Sequence, residues 1–202
     1  MLDPWLTIAD YLTRISKNEV TQMTDQYTRT AVTLHWLIAL LIFAAFPLGL
    51  YMHDLPLSPH KLHMYSYHKW LGVTVFLLAM IRLTWRTTHR PPAMPDTMPG
   101  WEKFAAESVH YLLYAMIFVV PISGWLMSSS MGFQTVWFGV LPLPDLVGKN
   151  KELAEQLHEV HEMLNYLMLG LVFAHVGAAL KHHFIERDDI LVRMIPFLRN
   201  KS

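Results

Sequence analysis

Apolar residues in this chain come in long unbroken runs separated by short polar clusters, rather than in the alternating or three-to-four-residue spacing of a soluble domain. A bilayer core about 30 Å thick needs roughly 20 mostly apolar residues per spanning helix, and four runs meet that length. Residues 33–51 lie in a stretch free of Asp, Glu, Lys and Arg between Arg29 and Asp54. Residues 67–85 contain Lys69 and Arg82, whose long side chains can snorkel from near the ends of the span. Residues 108–128 open a charge-free run that extends to Pro144, with a kink expected at Pro121. Residues 163–180 are also charge-free, and the polar helical pattern ahead of them predicts one long helix over 150–183. The segment 131–144, rich in aromatic residues, proline and glycine, reads as an interfacial connection.

Residues 1–22 stand apart. Asp3 and Pro4 suit an N-cap and first helical position, and Trp5, Ile8, Ala9, Leu12 and Ile15 recur at helical spacing, as in a helix lying on a membrane surface. This stretch has no apolar core of the kind a signal peptide carries; an unused start ahead of Met23 is the alternative. The domain reading is therefore an extension over 1–22 and a four-helix membrane domain over 23–202.

Composition agrees: 53% of the 202 residues are hydrophobic and 16% charged, with a mean hydropathy of +0.27. Sixteen basic residues balance 16 acidic ones, so no basic field exists to hold nucleic acid. Twelve of the 16 basic residues fall on the side that would hold both termini, and only Lys61, Lys69, Lys149 and Lys151 fall on the other. The positive-inside rule then predicts cytoplasmic N and C termini. The fold expected is all-α, an integral membrane four-helix bundle.

The chain has 12 histidines and no cysteine. The missing cysteines exclude disulfides, iron–sulfur clusters and covalently attached c-type haem. Histidine within a span is rare and marks function. On one helix His161 and His175 sit about 21 Å apart along the axis and about 40° apart around it, facing one way near opposite membrane sides. In the up-and-down topology His68 shares the level of His161, and His35 shares that of His175. Two imidazole pairs across a bundle suit two haems b, one at each level in the bundle core. Zinc or copper transport is the competing use of histidine, yet a tetrahedral site wants its ligands at one level, often with carboxylates. His110 is a fifth intramembrane histidine and a rival to His35. Trp36, Tyr166 and Phe173 read first as simple packing or lipid contact, with filling the space between levels as the alternative. The methionines read as soft packing, and His182 and His183 as interfacial.

Several motifs resemble the bacterial cytochrome b561 family. They are Tyr27, Thr28 and Arg29 followed by Leu34, His35 and Trp36; His68 ahead of Met80, Ile81, Arg82 and Leu83; His110 eleven residues before Pro121 in the run Val120, Pro121, Ile122, Ser123, Gly124; and His161 with Glu162, through His175, to His182 and His183. Their order and spacing carry the resemblance from Tyr27 to the C-terminus. It implies a dihaem inner-membrane cytochrome with haem ligands at His35, His68, His161 and His175. It also implies electron transfer between a quinone in the lipid bilayer and a second partner. One branch of the family is similar to a superoxide oxidase that passes electrons from superoxide at the outer face to ubiquinone; Lys69, with Lys61, His60 and His63 nearby, is then the positive charge for an anionic donor. Related dihaem subunits anchor dehydrogenases or hydrogenases and take electrons from a redox protein, so the donor stays open. Arg82 is a candidate for haem propionates, a quinone carbonyl or topology, and Gly124 for close packing beside haem.

Overall fold

The computed structural model describes residues 26–195 and Leu198; the surface helix expected over 1–22 lies outside the described residues. Four long helices dominate: α1 (Arg29–Asp54), α2 (Pro59–Thr88), α3 (Gly100–Met131) and α4 (Lys151–Lys181). Each start has a local cause. Thr28 Oγ1 accepts from the Ala31 N–H at 3.2 Å, Ser58 Oγ from the Lys61 N–H at 3.2 Å, and Asn150 Oδ1 from the Leu153 N–H at 3.1 Å, each satisfying a donor the first helical turn leaves open. Pro59 adds a preset backbone angle at the first turn of α2. α3 stops at Gly132, whose φ of 78° suits a residue without Cβ.

At 26 to 32 residues and 1.5 Å per residue, every helix is longer than the hydrocarbon core is thick. α1, α3 and α4 with its continuation (Lys151–Glu186) are long and apolar enough to cross a membrane. α2 is as long, but carries Lys61, Lys69, Arg82 and Arg86; packing between α1 and α3 makes it the fourth member of the bundle. Both α1 and α3 continue through an internal proline, Pro47 and Pro121. The spans face outward with apolar side chains such as Leu40, Phe43, Tyr111 and Phe173, as lipid in place of water requires. The chain is an all-α integral membrane bundle.

α3 packs along α4, α1 along α2 and α2 along α3, whereas neither α1 nor α2 makes extended backbone contact with α4. Midway along the bundle a small buried cluster forms from Met116 and Val120 of α3 and Met168 of α4, ringed by Ile42, Leu164, Leu171 and Val172.

The two ends are closed differently. After α3 comes a short antiparallel hairpin, β1 (Val136–Trp137) and β2 (Leu141–Pro142), with Trp137 opposite Leu141. Its three-residue turn, 138–140, places Phe138 and Gly139 at positive φ, 50° and 72°. The hairpin is tied down by ring and amine donors: Trp70 Nε1 to Val136 O at 2.7 Å, Trp137 Nε1 to Thr74 Oγ1 at 3.2 Å, Trp125 Nε1 to Pro144 O at 3.0 Å and Lys69 Nζ to Phe133 O at 3.0 Å. At the other end, called here the terminal end, α4 runs into a π-turn (His182–Glu186) and a short α5 (Ile190–Met194). Trp36 Nε1 donates to Met194 O at 2.9 Å, and Lys181 bridges Glu102 at 2.8 Å and Glu186 at 2.7 Å, clamping the start of α3 to the end of α4.

Candidate haem sites

The helices bring the four expected histidines together in two pairs. At the hairpin end His68 of α2 faces His161 of α4, ring centroids 6.3 Å apart and planes at 87°. At the terminal end His35 of α1 faces His175 of α4, 6.2 Å apart and at 62°. The partners therefore lie across the two helix interfaces that lack extended backbone contact. Met168 is seven residues from each α4 histidine, so the apolar cluster separates the two levels.

The spacing has a chemical meaning. A metal–imidazole bond of about 2 Å puts the ring centroid about 3 Å from the metal, so opposed rings sharing one metal ion sit about 6 Å apart. Both pairs have that separation. His110 of α3 stands 5.2 Å from His175, too near to share a metal with it in the same opposed way. Two nitrogen donors from helices without extended backbone contact suit a planar macrocycle that would supply the remaining ligands itself, and not a four-ligand tetrahedral ion.

The hairpin-end pair also has fixed tautomers. His68 Nδ1 lies 3.1 Å from Ala45 O; a carbonyl only accepts, so Nδ1 carries the proton and Nε2 the free lone pair. Ser123 Oγ spends its proton on Val120 O at 2.8 Å, which leaves its oxygen to accept from His161 Nδ1 at 2.8 Å. His161 is thereby set with Nε2 free as well. Bonds of this kind to the outer ring nitrogen orient a ligating histidine and raise its basicity. Each ring also lies against a glycine: a Cβ on Gly49 would come within 3.2 Å of His68 Cε1, and one on Gly124 within 3.0 Å of His161 Cε1. Gly124 was expected to be a close-packing point, whereas Gly49, Ala45 and the acceptor role of Ser123 carried no recognisable signal, since a glycine or carbonyl matters only through what lies beside it.

At the terminal end the surroundings are cationic: Arg82 Nη1 donates to Ala31 O at 2.6 Å, one turn before His35. Tyr166 packs edge-on against Phe46 of α1 and is half-exposed, Phe173 is mostly exposed, and Trp36 reaches α5; lipid contact and anchoring, not the space between levels, are their roles. Lys69 is bonded to the hairpin backbone. His182 is buried, with Nδ1 at 2.8 Å from Asp188 Oδ2.

Residues 26–197 match the family described as prokaryotic cytochrome b561. The chain belongs to that family. It is 31% identical over 176 residues to cytochrome b561 homolog 2 of Escherichia coli (strain K12), covering 87% of this chain and 94% of the relative. It is 27% identical over 178 residues to the probable superoxide oxidase CybB of Yersinia pestis, covering 86% and 98%. Cytochrome b561 homolog 1 of Escherichia coli is 29% identical over 181 residues, covering 85% and 98%. This cytochrome b561 is accordingly a bacterial membrane protein of b-type, haem-binding and engaged in electron transfer. Metal transport, the rival use of the histidines, has no support in these relationships.

Proposed function

We propose that this cytochrome b561 holds two haems b, one between His68 and His161 and one between His35 and His175, and conducts electrons through the bilayer from superoxide at the hairpin face to ubiquinone. The observation that carries this reading is the pair of opposed imidazole sets, alike in separation, with one partner of each on α4. Haem held there by His35, His68, His161 and His175 would supply one-electron chemistry suited to electron transfer. The four histidines hold and orient the group, the Met116, Val120 and Met168 cluster keeps water from the middle of the path, and Arg82 offsets propionate charge at the terminal end.

The basic-residue bias assigns the hairpin end to the periplasmic side and the termini to the cytoplasm of a bacterial inner membrane. Residues 23–202 form the working unit, with 1–22 as an extension. At the hairpin face Lys69, held next to His68 in sequence by its bond to Phe133 O, and Lys61, held by His53 O and Leu55 O, keep two fixed positive charges near the donor side, where they attract an anion. The similarity to a probable superoxide oxidase supports superoxide as that anion. Each superoxide loses one electron to become dioxygen; two such electrons and two protons convert one quinone to quinol.

A reduced-minus-oxidised spectrum with pyridine-haem quantification on purified protein tests the cofactor count, and two haems per chain are expected. Superoxide-driven quinone reduction by the purified chain alone tests the donor. Two haems without that activity would instead mark an anchor subunit fed by a dehydrogenase or hydrogenase, and little haem in folded protein would overturn the whole reading.

A further inference from the structure

Below the terminal-end histidines, Arg82, Trp85 and Arg86 of α2, with His89 and Arg90 just past its end, line one small cleft. Tyr114 of α3 closes its far wall. The lining has four basic side chains and no carboxylate. Arg82 and Arg86 are four residues apart on α2, where like charges repel, and Arg90 joins them just past the helix end. None of the three forms an ion pair among the described residues. Their attachments are neutral: Arg82 binds a backbone carbonyl, and the Arg86 guanidinium lies 5.4 Å over the Tyr114 ring. The floor is rigid, because Trp85 Nε1 donates to Thr28 Oγ1 at 2.8 Å and its ring stacks on His89 at 3.9 Å and 6°. Uncompensated guanidinium groups over a fixed aromatic floor suit a phosphate, whose oxygens match several N–H donors at once.

The neighbouring surface says which phosphate. Trp85 is also a wall of a second, open and mostly apolar groove formed with Met80, Ile81, Thr84 and Thr88. Met80 and Ile81 are half-exposed, so the groove runs along the outside of the span, where acyl chains lie. A cationic cavity and an apolar groove that share one tryptophan have the shape of a lipid, head and tail. We propose that this site holds one anionic phospholipid, its phosphodiester between Arg86, His89 and Arg90 and one acyl chain along Met80 and Ile81. Basic pockets at the headgroup level of membrane helices recognise such lipids by this chemistry. The site lies at the opposite end of the bundle from Lys61 and Lys69 of the proposed donor face.

The test is native mass spectrometry of the haem-loaded chain released from nanodiscs of phosphatidylcholine containing phosphatidylglycerol with matched acyl chains. One phosphatidylglycerol retained per chain, in preference to phosphatidylcholine, is expected. Arg86→Gln with Arg90→Gln should weaken retention about thirtyfold while leaving haem content and spectrum unchanged. Equal retention of both lipids, or retention unaltered by the double substitution, would overturn the proposal. So would displacement of the lipid by inorganic phosphate alone, which marks a free-anion site, or by a ubiquinone analogue, which marks a quinone site. Should the double variant not fold, the salt dependence of the unaltered protein decides: selectivity for phosphatidylglycerol is expected to fall steeply with salt, and salt-independent selectivity would overturn the proposal.

Discussion

The two histidine pairs share a helix and a spacing, yet they are supported in opposite ways. At the hairpin end both imidazoles are oriented by a hydrogen bond from Nδ1, each against a glycine. At the terminal end neither His35 nor His175 makes a side-chain hydrogen bond among the described residues, a third histidine stands at 5.2 Å, and Arg82 reaches in from α2. One site is pre-organised by hydrogen bonds to its rings and close packing; the other has an arginine beside its rings. In the proposed function, a fixed positive charge beside one centre stabilises its reduced, more negative state, so the difference would give two chemically equal ligand pairs unequal potentials.

Four experiments break or sharpen that contrast. The largest effect is expected from His161→Ala and His175→Ala, each of which should lower haem from two to one per chain, with the surviving spectrum differing between the two variants. Identical residual spectra would mean that the sites do not differ. Next is Gly124→Ala: the added methyl meets His161 at 3.0 Å, overpacking of this kind costs about 1–3 kcal/mol, and hairpin-end haem should be retained roughly ten- to a hundredfold less tightly. Gly72→Ala, whose added carbon meets nothing within 4 Å, is the control. Ser123→Ala removes the acceptor from His161 Nδ1 and should weaken haem affinity at that level by about tenfold, accompanied by a change in its electron paramagnetic resonance signal; an unchanged signal would show that the bond does not orient the ring. Smallest is His110→Ala, which should leave two haems per chain. Loss of the terminal-end haem would make His110 the ligand and His35 the bystander.

Much of the bundle was readable in the residue order. The helix expected over 150–183 is observed as α4 with its first π-turn residues, because a polar helical pattern that continues into an apolar run gives no reason to break. The segment 131–144, expected as an interfacial connection, holds a hairpin whose strands are only two residues each, too short to leave a period-two signature. Pairing His68 with His161 and His35 with His175 followed from helix arithmetic and alternating direction. Trp36, Tyr166 and Phe173 meet the packing and lipid-contact reading and not the alternative of filling the space between the levels. An aromatic residue in a membrane span is equally at home against lipid or against a neighbour, and residue type alone does not choose.

Hydropathy, charge placement and the 14-residue interval from His161 to His175 determined by themselves that this chain is a membrane bundle with two levels of histidine. These are properties of single helices: rise, rotation and the cost of charge in lipid need no partner to be defined. Only the tertiary structure decided that α1 and α2 stand off from α4 where the histidines meet, that Ala45 O and Ser123 Oγ set the hairpin-end tautomers, that Gly49 and Gly124 lie against the rings, and that the arginines of α2 converge on one cavity. Each of these is a distance between residues on different helices, fixed by how side chains interlock, and such a distance is not encoded in any one segment of the chain.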